Sequence, residues 1–209
     1  MIDLYAVTDP PGPPLPPPAA ARVLPSGRLA VVYAPAVDAE ASADALWRHE
    51  ELVEALMEHA DVLPFRYDTR YEDEDAAARA VQEREGELSA ALERIRGAVE
   101  LSVRVLVAEP ADPPPGGGGN AADYVAAKAR AAALARAVSD AVHGPLRAIA
   151  RASRQRTADL PSEPLRAAYL VDRDRVDEFA LAVAGVQERR PDLRLLCTGL
   201  WPPYSFAEA

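Results

Sequence analysis

Residues 99–107 read Val-Glu-Leu-Ser-Val-Arg-Val-Leu-Val, with an apolar side chain at each odd position. Alternation with a period of two is the pattern of a β-strand that has one buried face and one face toward water. The strand follows Gly97, which ends a helical pattern over residues 73–96. A strand directly behind a helix predicts a mixed architecture, in which helices cover one side of a sheet.

The segments before this strand alternate between strand and helix patterns. Strands are predicted at residues 2–7, 29–33 and 62–67, and helices at residues 42–59, opened by Ser42 or Asp44, and 73–96. The inward stripe of the first helix is predicted as Leu46, Val53, Leu56, Met57 and Ala60. The order strand, strand, helix, strand, helix, strand predicts an α+β domain with a ferredoxin-like sheet backed by helices.

The segments after residue 110 predict a second domain. Three prolines followed by four glycines break every regular pattern, so residues 111–120 are predicted as a linker between a domain at 1–110 and a domain at 121–209. The C-terminal domain is predicted as a long alanine-rich helix over 121–151, kinked at Gly144-Pro145, followed by a small α+β unit. That unit has a strand at 165–171, a helix at 173–189 capped by Asp172 or Asp174, and a strand at 193–197.

Charge restricts the class of partner. The chain has 33 acidic and 23 basic side chains, a formal net charge of -10, which argues against nucleic acid or an anionic membrane surface as the main partner. The charge is unevenly distributed, since residues 40–100 are acidic and residues 120–156 are basic. Two interpretations stay open: a pair of solvated helix faces, or a bipolar docking surface.

The residues that usually carry chemistry do not form a recognisable site. His49-Glu50 begins like a helical zinc-protease motif, but that motif requires a second histidine where Val53 stands. The single cysteine, Cys197, lies in an apolar strand pattern that predicts a small buried hydrophobe. We therefore predict no catalytic residue, no metal and no cofactor, and a protein that is not an enzyme. The lone cysteine and the absence of a signal-peptide pattern predict a cytoplasmic protein.

Two proline-containing segments are candidate contact sites. The closing run Trp201-Pro202-Pro203-Tyr204-Ser205-Phe206 is predicted to be extended, which leaves its aromatic side chains available to dock. Its target is either the protein's own surface or a partner. The same choice applies to Leu63-Pro64-Phe65-Arg66, where Pro64 favours an edge strand and its neighbours also suit internal packing. The proline-rich run at residues 10–18 is predicted as a stiff spacer or a ligand for a proline-recognition domain.

Several of these segments together match one family pattern. They are residues 46–54 leading to Val62-Leu63-Pro64-Phe65-Arg66-Tyr67, then Val99-Glu100-Leu101 after a glycine, then Ala168-Tyr169-Leu170-Val171-Asp172, and the closing Trp-Pro-Pro-Tyr-Ser-Phe. In this order they resemble the gas vesicle proteins of the GvpL/GvpF family over nearly the whole chain. Two positions depart from the family: Leu200 stands where a proline is usual, and Asp68 stands where a glycine is usual, which argues against a positive φ there.

The resemblance implies a non-enzymatic accessory protein for the assembly of gas vesicles, hollow shells built from a small hydrophobic subunit. It implies that the partners are this shell subunit and other gas vesicle accessory proteins. A soluble acidic protein can cover a water-repelling subunit and stay dispersed. The family-motif or contact residues, between domains or with a partner, are Leu63, Pro64, Phe65, Arg66, Tyr169, Trp201, Pro202, Pro203, Tyr204 and Phe206. The alternative is a ferredoxin-like protein that senses or converts a small molecule at an interdomain site.

Overall fold

The computed structural model describes residues 1–16, 20–36, 42–107, 121–156 and 162–207. The predicted linker at 111–120 and part of the proline-rich run at 10–18 lie outside these residues. The chain forms two compact units: one is Met1–Val99 with the C-terminal segment that begins at Trp201, and the other is Glu100–Leu200. Each unit combines a β-sheet with helices, which confirms the predicted α+β class.

The first unit contains an antiparallel sheet. Its strands are β1 Ile2–Thr8, β2 Arg22–Ser26, β3 Leu29–Pro35, β4 Leu63–Pro64 and β5 Arg70–Tyr71. The strand order is β2-β3-β1-β4, and β5 also pairs with β1. Every residue of β3 except Pro35 is buried, as the continuous apolar run predicts for a central strand.

The third predicted strand is much shorter than its pattern suggests. Residues 62–67 were expected to form one strand, but only the two residues of β4 pair with β1. Pro64 has no backbone N–H to donate, so the ladder cannot continue regularly through it. One further backbone bond follows, from the Phe65 N–H to the Tyr5 carbonyl at 2.8 Å.

The helices of the first unit are α1 Ala43–Met57, α2 Glu74–Glu83 and α3 Glu85–Ile95. Ser42 caps α1 by accepting a hydrogen bond from the Ala45 N–H at 3.1 Å. The single helix predicted at 73–96 is wrong, because the chain leaves helical geometry at Arg84, with φ -108 and ψ 13. Gly86, in the first turn of α3, weakens helix propensity at this junction.

The second unit contains a four-stranded sheet of order β7-β8-β6-β9. The strands are β6 Ala98–Val107, β7 Ala152–Arg156, β8 Leu165–Asp172 and β9 Leu193–Trp201. With α4 Ala121–Val138 between β6 and β7, and α6 Val176–Arg189 between β8 and β9, the element order is β-α-β-β-α-β. This is the ferredoxin-like order, so the arrangement predicted for the N-terminal domain is found in the second unit.

The long helix of this unit changes geometry before the predicted kink. After α4, residues Ser139–His143 form a π-helical turn, and α5 Gly144–Arg147 follows. Pro145 lacks an N–H and its ring crowds the carbonyl four residues earlier, Ala141, which lies inside the π-helical turn. The proline therefore changes the helix geometry about one turn before its own position.

The predicted caps of α6 are also wrong. A 3-10 turn, Arg173–Arg175, precedes α6, and neither it nor α6 receives a side-chain cap. Asp172 forms an ion pair with Arg151 instead. The carboxylate therefore joins the end of β8 to the segment before β7.

The division into units differs from the predicted boundary at 111–120. It falls between Val99 and Glu100, inside β6, because most of that strand belongs to the sheet of the second unit. The predicted domain 121–209 also loses its last segment, since the chain from Trp201 onward groups with the first unit. The role of residues 111–120 as a linker stays a prediction.

Candidate functional site

The C-terminal aromatic segment is anchored within the first unit. Pro202 and Pro203 are buried, and Phe206 is only 4% exposed. The segment closes in a 3-10 turn, Tyr204–Phe206, and the Arg94 guanidinium of α3 donates a hydrogen bond to the Phe206 carbonyl at 3.4 Å. Trp201 differs from these residues, since 40% of its surface is exposed. The buried residues hold the segment and Trp201 presents an indole to solvent.

Tyr204 packs its hydroxyl beside the carboxylate of Glu50 on α1. The hydroxyl is buried, and within the described residues it has no hydrogen bond of normal length and angle. Burial raises the pKa of the Tyr204 hydroxyl, and the nearby Glu50 carboxylate raises it further. Burial also raises the pKa of Glu50, while the tyrosine hydroxyl acts in the opposite direction. The segment and α1 therefore share a partly desolvated polar contact.

The residue before Glu50, His49, connects α1 to the Leu63-Pro64-Phe65-Arg66 segment. Its Nε2–H donates to the Phe65 carbonyl at 3.0 Å, and a carbonyl can only accept, which fixes the tautomer. The imidazole stacks on Tyr5 with ring centroids 4.9 Å apart and meets Tyr67 edge-on at 5.8 Å. His49 is 3% exposed, so its role is in the core. No group of three or more potential metal ligands occurs in the described ranges.

The free energy of unfolding is expected to decrease as the pH is lowered below about 6.5, because His49 is buried. Burial lowers the pKa of the His49 imidazole, against the opposing effects of the Phe65 carbonyl and Asp3. The unfolded chain therefore binds the proton at a higher pH than the folded chain does. The stabilisation is complete above the unfolded pKa and is lost as pH falls toward the folded pKa, at up to about 1.4 kcal/mol per pH unit.

The check is urea denaturation between about pH 7 and pH 5. The variant His49→Gln should be less stable at neutral pH and should lose stability less steeply with falling pH. The pKa of His143 is also lowered by burial, so some slope of the same sign remains. Leu181→Ala, which changes an exposed side chain without an ionisable group, provides the control and should keep the original slope. An unchanged slope in His49→Gln would contradict this account.

The remaining predicted contact residues separate into buried and exposed groups. Leu63 and Pro64 are buried, Phe65 is half-buried and Arg66 is exposed, so the first two are committed to packing. Tyr169 is fully buried in the core of the second unit, where its hydroxyl lies 2.9 Å from His143 Nδ1 and its ring packs against Phe179. Tyr169 is therefore a core residue with no surface to offer a partner.

Three single-residue expectations are wrong. Cys197, predicted to be buried, is exposed on β9, which lies at the edge of its sheet. Leu46, assigned to the inward stripe of α1, is 42% exposed. Asp68 has φ 69 although it is not glycine. Aspartate tolerates this conformation better than most residues, and its carboxylate lies 3.1 Å from Arg70 Nε.

Trp47, which the sequence pattern did not single out, is 68% exposed in the second turn of α1. Single exposed apolar side chains are normal on protein surfaces, so exposure alone does not give Trp47 a contact function. The spacing of Trp47 from the acidic residues of the helix indicates that its side chain is exposed. Trp47 lies three residues after Asp44 and four before Glu51, on the polar side of the helix.

Comparison with solved structures defines the fold. The crystal structure of the gas vesicle protein GvpF from Anabaena sp. PCC7120 is similar with a TM-score of 0.84 and 16% identity, covering 100% of this chain and 98% of that chain. The crystal structure of gas vesicle protein GvpF from Microcystis aeruginosa has a TM-score of 0.76 and 18% identity, covering 100% and 99%. The chain thus has the fold of these proteins along its length.

Sequence comparison gives the family. The family model for gas vesicle synthesis protein GvpL/GvpF matches residues 3–114 and 120–208. Gas vesicle protein L of Streptomyces sp. (strain CB03234) is 33% identical over 187 residues, 79% of this chain and 69% of that protein. Gas vesicle protein F of the same strain is 29% identical over 218 residues, covering 92% and 90%. This chain belongs to the GvpL/GvpF family of gas vesicle synthesis proteins.

Within the described residues, no helix combines the length and the apolar character needed to cross a bilayer.

Proposed function

We propose that this chain is a non-enzymatic accessory protein of gas vesicle assembly that binds the hydrophobic shell subunit while the vesicle forms. Family membership supports a role in gas vesicle synthesis and favours it over the small-molecule sensor. The observation that carries the binding step is the 40% exposure of Trp201 on a segment in which Pro202, Pro203 and Phe206 are buried and Tyr204 is half-buried. An exposed indole held by an anchored backbone binds apolar surface at low entropic cost.

The charge of the chain suits this role. A formal net charge of -10 keeps a complex dispersed when one component has a water-repelling face. The shell subunit needs only transient cover until it adds to the growing wall, so a small apolar contact is sufficient. In this role the protein binds other gas vesicle proteins in the cytoplasm, and it makes or breaks no covalent bond.

The test is co-expression of the tagged chain with the shell subunit, followed by capture on the tag. The unaltered chain is expected to retain the subunit, and Trp201→Ala is expected to retain several-fold less because the exposed indole is the proposed contact. Leu181→Ala is the matched control, since Leu181 is 74% exposed on α6. Equal retention by the Trp201 and Leu181 variants would contradict the proposed contact, and no retention by the unaltered chain would contradict the function.

A further inference from the structure

Two helices present exposed stripes of opposite charge. The first is the α1 stripe, defined by Asp44, Trp47, Glu51, Glu54 and Glu58, whose spacing of three and four residues places them on one face. Asp44, Glu51 and Glu58 are exposed and Glu54 is half-buried. Within the described residues, none of these four carboxylates forms an ion pair. The indole of Trp47, 68% exposed, lies between them.

The second is the α4 stripe, defined by Val125, Lys128, Ala132 and Arg136, which also follow helical spacing. All four side chains are exposed, and Val125 is 63% exposed. Between Val125 and Arg136 the described side chains of α4 are exposed or half-buried, and Val138 at the end of the helix is buried in the core of the second unit. The alanine content favours the helix, because alanine has the highest helix propensity. The α4 stripe is therefore a basic and apolar surface that faces solvent.

We propose that the α1 stripe of one copy of this chain binds the α4 stripe of a second copy. The carboxylates of Glu51 and Glu58 face Lys128 and Arg136 in this contact, which pairs both basic side chains of the α4 stripe with opposite charge. Ala132 carries only a methyl group, so the two helices can approach closely and the Trp47 indole can lie over a basic side chain. The occupant is a second copy because this chain itself supplies the complementary helix.

The α4 stripe is short enough to lie along the α1 stripe over its whole length. At a rise of 1.5 Å per residue, the α1 stripe extends over about 21 Å and the α4 stripe over about 16 Å. The contact uses different surfaces on the two copies, so it is heterologous and does not by itself close at a dimer. Because its charged groups are exposed, salt weakens it. The expected behaviour is concentration-dependent self-association that disappears at high ionic strength.

Sedimentation velocity of the full-length protein tests this proposal. The weight-average mass is expected to rise with concentration at low salt and to return to that of a monomer at about 1 M salt, where the Debye length is about 3 Å. Trp47→Ala should reduce the association, whereas Leu181→Ala, which removes another exposed apolar side chain, should not. A single monomeric species at all concentrations in low salt would overturn the proposal.

Charge reversal shows whether these two stripes form the contact. Glu51→Lys combined with Glu58→Lys, and Lys128→Glu combined with Arg136→Glu, are each expected to be monomeric alone because like charges then meet. An equimolar mixture of the two variants restores opposite charges at both stripes and should restore association. Arg79→Glu, at an exposed position on α2, should associate like the unaltered protein.

Circular dichroism verifies that every variant is folded. Variants that associate alone like the unaltered protein, or a mixture that stays monomeric, would overturn the assignment of the stripes. If the chain stays monomeric and the same reversals instead abolish capture of the shell subunit, the second copy is the wrong occupant. Trp201→Ala should leave self-association unchanged, so failure of the proposed function and failure of this inference are distinguishable.

Discussion

Replacing Phe206 by alanine is expected to lower the free energy of unfolding by about 3 to 5 kcal/mol. The phenyl ring is 4% exposed and is the most deeply buried aromatic group of the C-terminal segment. The hydrogen bond from Arg94 is accepted by the backbone carbonyl of Phe206, so it does not replace the packing of the lost ring. Without the ring, the segment that carries Trp201 should leave the first unit. Urea denaturation measures the loss, and hydrogen exchange at the Tyr204 and Phe206 amides reports detachment of the segment.

A matched variant in the same C-terminal segment distinguishes the loss of a buried ring from a general effect of substitution in that segment. Tyr204→Phe keeps the ring and removes a buried hydroxyl that reaches no full hydrogen-bond geometry with a described residue. Its stability should change by less than about 1 kcal/mol, because the cost of burying the hydroxyl opposes its favourable contact with the Glu50 carboxylate. A loss at Phe206→Ala no greater than that at Tyr204→Phe would show that the segment is not anchored as described.

Gly199→Ala is expected to destabilise the second unit by about 2 to 6 kcal/mol, the sum of backbone strain and overpacking. Gly199 has φ +134, a conformation that side chains with a Cβ rarely adopt. A Cβ at this position would lie 2.8 Å from the Glu100 carbonyl oxygen and 2.9 Å from Leu101 Cδ2, both on β6. The first of these neighbours is backbone and cannot move aside without disturbing the sheet.

The comparison for this variant is Gly86→Ala. Gly86 lies within α3, and a Cβ there would meet nothing within 4 Å. Alanine should therefore stabilise the protein by about 0.4 to 1 kcal/mol through helix propensity and reduced freedom of the unfolded chain. Thermal denaturation of the two variants measures opposite shifts. Tolerance of alanine at 199 would mean that β9 does not approach β6 as closely as the structure shows.

The central strands were predictable because burial leaves a pattern in the sequence. β1, β3, β6 and β8 are runs of apolar residues or clear alternations, and each was located within one or two residues. β2 and β7 were missed, and both lie at the edges of their sheets. Neither strand has a fully buried face, and β7, Ala-Ser-Arg-Gln-Arg, is mostly polar. These two strands are defined by backbone hydrogen bonds to the neighbouring strands of the sheet.

The candidate site was predictable only in part for a similar reason. The proline and aromatic content of residues 201–206 indicated a docking segment, but which rings are buried depends on the surface that receives them. Composition also could not assign the segment to the first unit, because that follows from contacts between residues far apart in sequence. Exposure of Trp47 and Leu46 was missed because both lie beside the apolar residues of a helix, where a small rotation decides which side chains face water.

Family membership and the anchored C-terminal segment together support one central claim, that this protein keeps a poorly soluble shell subunit dispersed by apolar contact. Sedimentation of the purified shell subunit, diluted from denaturant into buffer with increasing amounts of this chain, tests it most directly. The subunit is expected to stay in the supernatant in proportion to the chain added, and less so with Trp201→Ala. Equal pelleting with and without the chain would contradict the account.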